Sequence, residues 1–110
     1  MWPRINRVQI GPTERFDLEA QALLEECEAV ARTRAGWTVD LVAVAQGRID
    51  ASRRSRLGLL DRVTVQVGES IGLEVAGRGP RWRLNRLADG YLRAVRAAVA
   101  RRRRGQEAGT

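Results

Sequence analysis

Apolar residues recur along this chain in two rhythms. Between positions 13 and 35, Phe16, Ala20, Leu23, Leu24, Cys27, Val30 and Ala31 keep the three-and-four spacing of one buried helical stripe. Gly11-Pro12 breaks the chain before it, Thr13 is a candidate N-cap, and Gly36 suits the position just past the last turn. A second stripe, Leu84, Leu87, Ala88, Tyr91, Leu92, Val95, Ala98 and Val99, predicts a final helix over 84–104. Between the helices the period drops to two. Val63, Val65 and Val67 alternate with Arg62, Thr64 and Gln66; after Gly68-Glu69-Ser70, Ile71, Leu73 and Val75 alternate with Gly72, Glu74 and Ala76. That pattern is a hairpin with one buried face. Residues 37–46 read as a strand apolar on both sides, the pattern of a central strand. Residues 4–10 are a weaker strand. The stretch 47–58 places Arg48, Arg53, Arg54 and Arg56 among small polar residues and reads as a mobile basic loop.

The expected architecture is α+β: a small antiparallel sheet of three strands plus a weak N-terminal one, two helices on one face, in the order β-α-β-β-β-α. Residues 1–104 make one domain, and 105–110 a disordered tail.

Composition narrows the function classes. The chain carries twenty arginines, no lysine, no histidine and a formal charge of +7. A high-GC genome accounts for arginine in place of lysine, but not for its placement: half the arginines fall between Arg78 and Arg104, beside one acid, Asp89. No run is long and apolar enough to span a membrane, the first ten residues do not resemble a signal peptide, and a single cysteine forms no internal disulfide. A cytoplasmic location is expected. Without histidine there is no His-based triad, acid–base pair or His metal ligand. Cys27 lies on the apolar stripe of an acid-rich helix, where a thiol is inert. No catalytic residue, metal site or cofactor is expected, and the chain is not read as an enzyme.

Candidate binding residues cluster instead. Arg78, Arg81, Trp82, Arg83 and Arg86 surround the start of the final helix, where guanidinium groups can fork onto phosphates and an indole can stack on a base. Arg93 and Arg96 lie off its apolar stripe, and Arg101, Arg102, Arg103 and Arg104 end it. The loop adds Arg53, Arg54 and Arg56. Two competing assignments stand beside these. Trp82 can instead plug the edge of the core. The acids Glu14, Asp17, Glu19, Glu25, Glu26 and Glu28 make the first helix negative, so it can meet the basic helix in the same chain or in a second copy.

Val63-Thr-Val-Gln-Val67, the turn, Ile71-Gly-Leu-Glu-Val75 and the basic-ended helix from Leu84 to Arg104 resemble, as topology, the N-terminal domain of ribosome hibernation-promoting factors and double-stranded-RNA-binding domains. That resemblance implies contacts to ribosomal RNA through Arg86, Arg93, Arg96 and Arg101 to Arg104. The expected function is a small basic module that binds the phosphate backbone of RNA or the ribosome with little sequence choice. The alternative is a protein-interaction or self-assembly subunit, a homo-oligomer joined through the acidic helix 13–35 and the basic helix 84–104.

Overall fold

A computed structural model describes residues 4–108; Trp2, and positions 109 and 110 of the expected tail, lie outside the described residues. Five strands form one antiparallel sheet in the order β1-β5-β4-β3-β2, with β1 Ile5–Ile10, β2 Trp37–Ala43, β3 Arg48–Arg54, β4 Leu60–Val67 and β5 Ile71–Arg78. Helices α1 (Ala20–Thr33) and α2 (Arg81–Ala108) cover one face. The element order is β-α-β-β-β-β-α, one strand more than expected.

That strand is β3, which the sequence presents as a loop. Only Ile49 and Ala51 of its seven residues are buried apolar side chains, so its alternation is thin. Its register with both neighbours compensates: Ile49 pairs with Val42 and Val65, Ala51 with Val39 and Val63. The hydrogen-bonded ladder on both sides stabilises a strand that its own side chains mark weakly. Gly47 makes the turn before β3, in the left-handed conformation at φ 63°; a Cβ there would lie 2.3 Å from the Val67 carbonyl oxygen.

β2 departs from expectation in the other direction. It lies at the edge of the sheet, not the centre. A bulge between Val39 and Leu41 makes Asp40 an extra residue, so the inward face switches from Trp37 and Val39 to Val42. Leu41 is thereby turned outward and is 53% exposed, and Val44, in the following 3₁₀ turn, is 61% exposed. An added charged residue at an edge also discourages pairing with another strand.

Thr13 does not cap a helix. α1 starts at Ala20, after an irregular segment clipped to the β4–β5 turn: Thr13 N–H donates to Ile71 O at 2.9 Å, Phe16 N–H to Glu69 O at 2.9 Å, and Ile71 N–H to Thr13 Oγ1 at 3.0 Å. α2 begins three residues before the expected 84 and continues through 105–108. Its apolar stripe is buried as the spacing predicts. Trp37 stacks on Tyr91 with centroids 5.1 Å apart and planes at 13°, and Tyr91 Oη–H donates to the Cys27 carbonyl at 2.7 Å. One aromatic pair thus ties the start of β2 to both helices.

Cys27 is fully buried, and burial pushes its thiol pKa up to about 12. The native protein at pH 8 is expected to resist a thiol reagent such as Ellman's, and to react fully once unfolded in urea; rapid labelling of the native chain contradicts this packing.

Candidate anion-binding cleft

The site is built on one carboxylate. Asp61 opens the inward face of β4, two residues before Val63, and is fully buried. A buried carboxylate needs charge and hydrogen bonds from its surroundings. Arg83, in the first turn of α2, supplies both in a fork: Nη2–H donates to Oδ1 at 2.7 Å and Nη1–H to Oδ2 at 2.9 Å. Arg53, the cross-strand neighbour on β3, brings Nη1 to 3.7 Å from Oδ2. On the other side stands Gly77 of β5, where a Cβ would lie 2.1 Å from Oδ1. Arg83 also donates through Nη2 to the Arg78 carbonyl. The hydrogen bonds that Arg83 donates to Asp61 hold its pKa above the ordinary value, against the opposing effect of burial.

These two arginines form part of a cleft of about 770 Å³ between the end of α1, the first residue of β2, the end of β3 and α2. Arg34, Arg53, Arg83, Arg86 and Arg101 line it together with Trp37 and Trp82, and among the described residues no carboxylate does. Arg34 packs over Trp37 at 5.6 Å and donates to the Gly90 carbonyl at 3.5 Å. Gly90 leaves room for that contact, because a Cβ there would lie 3.3 Å from Arg34 Nη2. The Nε–H groups of Arg34 and Arg83 are buried without an acceptor among the described residues. Trp82 stands at the cleft 61% exposed, with the Arg86 guanidinium 6.0 Å from its ring centre. The core-plug assignment for Trp82 is therefore corrected: α2 turns its indole outward at the first turn, away from the stripe that begins at Leu84.

The other expected binding residues scatter. Arg53 and Arg54 are consecutive on a strand, so they point to opposite faces. Arg56 lies in the β3–β4 turn and is exposed, as are Arg81, Arg93 and Arg104. Arg78 ends β5, paired with Ile5 of β1. Arg96, Arg102 and Arg103 meet acids of the same chain. Arg96 forks onto Glu14 at 2.7 and 3.1 Å, Arg102 reaches Glu25 and Glu26 at 3.3 Å each, and Arg103 reaches Asp17 at 3.1 Å. The hydrogen bond from Arg96 lowers the Glu14 pKa. Part of the positive charge of α2 is thus met within the chain, by Glu25 and Glu26 of α1 and by Glu14 and Asp17 of the segment before it.

Arg34 and Asp61 are functional candidates that the residue patterns leave unmarked. Asp61 was findable: it shares parity with Val63, Val65 and Val67, and a carboxylate on a buried strand face requires a partner. Arg34 carries no such signal, because its place depends on how α1 ends against Trp37.

Among the described residues no group of three or more His, Cys, Asp or Glu side chains is placed to hold a metal ion, and no helix is long and apolar enough to cross a membrane. No protein-family model matches the chain, and no curated protein matches it.

Proposed function

We propose that this protein is a small cytoplasmic binding module that grips the phosphate backbone of nucleic acid, RNA or ribosomal RNA above all, with little sequence choice. One observation carries the reading: five arginines and an exposed tryptophan line a single cleft, and the one carboxylate paired with any of those arginines among the described residues, Asp61, is fully buried and outside the lining. Guanidinium groups are suited to bidentate contact with phosphate, and a flat indole beside them suits a base of any identity. Arg83 and Arg53 are held in place by Asp61 before any ligand arrives, which reduces the entropy lost on binding. The protein acts as a binder and not as an enzyme in this reading: it has no histidine, and its one thiol is buried.

The site is narrower than the arginine content suggests. Arg96, Arg102 and Arg103 each face at least one carboxylate of their own, whereas Arg53 and Arg83 share the single charge of Asp61, so the contacts are assigned to the cleft. The same ion pairs weaken the alternative of self-assembly through oppositely charged helices, since a second copy would have to replace contacts the chain already makes.

Binding to labelled RNA and DNA oligonucleotides, measured at about 50 mM and about 300 mM salt, tests the proposal. Micromolar affinity at the lower salt is expected, falling steeply at the higher, as phosphate-backbone binding does through counterion release. No binding at the lower salt refutes it.

A further inference from the structure

The shape of the cleft and the state of its tryptophan narrow the ligand further, an inference that rests on the nucleic-acid reading above. We propose that the site takes single-stranded nucleic acid in preference to duplex, with one unpaired base stacked on Trp82 and the adjoining phosphates drawn into the cleft.

Three observations converge on this. The first is the indole itself. Trp82 is 61% exposed and belongs to no part of the core, so packing does not explain a large aromatic there. Arg86 sits 6.0 Å from the ring centre and supplies a cation beside the stacking surface. A base can stack on an indole only when its own face is free, and inside a duplex both faces are taken by neighbouring bases. Since every base has such a face, this contact selects for strandedness and not for sequence.

The second is depth. Arg83 and Arg53 have side chains only 21% and 33% exposed, so a phosphate must enter the cleft to meet them. Duplex nucleic acid is a stiff rod that presents its phosphates on a convex surface. At about 770 Å³ the cleft is within the size range of small-molecule sites, and a flexible single strand can lower a nucleotide into it where a rod rests on the rim.

The third is the far side of α2. A rod laid along the helix to collect its remaining arginines would also meet Glu14, Asp17, Glu25 and Glu26, the carboxylates paired with Arg96, Arg102 and Arg103. A strand confined to the cleft avoids them.

The test compares a labelled oligouridylate of about ten nucleotides with a blunt RNA duplex of equal length, at about 50 mM salt. The single strand is expected to bind about tenfold tighter or better and to quench tryptophan fluorescence. Trp82→Ala should weaken single-strand binding by about 5- to 150-fold, the range of one lost base stack, and weaken duplex binding far less. Trp82→Phe, which keeps a ring, should retain part of the affinity, and an unaltered urea midpoint confirms that neither variant disturbs the fold. Equal affinity of the wild-type protein for the two ligands, or an equal loss of both in Trp82→Ala, overturns the single-strand inference while the nucleic-acid reading stands. Failure to bind either ligand overturns both.

Discussion

Replacing Asp61 with alanine is expected to lower the unfolding free energy by about 3–5 kcal/mol, the cost of breaking a buried ion pair by removing one partner. The residue is fully buried, and its two oxygens accept the forked Arg83 guanidinium at 2.7 and 2.9 Å. Without it, Arg83 and Arg53 keep their positive charges side by side, mostly shielded from water, with nothing between them. Asp61→Asn preserves shape but removes the charge and turns a donor toward two other donors, so it should also destabilise. The loss belongs to the unpaired charges and not to the absence of a favourable pair. An Asp61→Leu/Arg83→Met double variant, which removes both partners and fills the space, should therefore recover much of the stability lost in Asp61→Ala. Urea unfolding of the three variants decides this; a cost below about 1 kcal/mol for Asp61→Ala would show that the pair is open to solvent.

Reversing two cleft charges, Arg86→Glu with Arg101→Glu, is expected to weaken RNA binding by about 100-fold or more at low salt. Hydrogen bonds to charged groups contribute about 1.5–3 kcal/mol each, and reversal adds repulsion to their loss. The salt dependence should flatten too, by about 0.7 in the log–log slope for each single-strand phosphate contact removed. Both side chains are exposed on α2, so the fold should tolerate the change. The comparison that matters is Arg93→Glu with Arg104→Glu, which alters the net charge equally on residues outside the cleft lining. If that variant loses as much affinity, attraction is spread over the whole helix, and the cleft is not the site.

Much of this fold is written in residue periodicity, and the exceptions have physical causes. The stripe from Leu84 to Val99 and the hairpin of β4 and β5 are visible because one face is apolar without interruption, in the hairpin from Val63 to Val67 and from Ile71 to Val75. β3 is not, because its pairing with two neighbours does what apolar side chains do elsewhere, and a strand bordered by Arg48 and Arg54 looks like loop when read alone. β2 misleads for the opposite reason. Its apolar residues suggest a central position, but the bulge at Asp40 sends Leu41 to the outside, and no local pattern announces a bulge. The candidate site divides in the same way. Arg83, Arg86 and Trp82 are neighbours in the chain and stand out there. Arg34, Arg53 and Arg101 join them only because α1, β3 and α2 converge, a result of topology that a linear reading of charge does not contain.

The intrachain ion pairs along α2 bear on how the molecule meets a ligand before contact. Positive charge on one flank of that helix is compensated by Glu14, Asp17, Glu25 and Glu26, while the flank facing the cleft is left without acids in its lining. The protein therefore has an electrical front and back. For the polyanion ligand proposed above, approach from the acidic flank would find little to hold it, and approach from the other would be drawn toward the cleft, so the field itself would orient the encounter. Under that proposal the acids of α1 and of the segment before it would act as a guide that makes a small, strongly basic protein selective about direction.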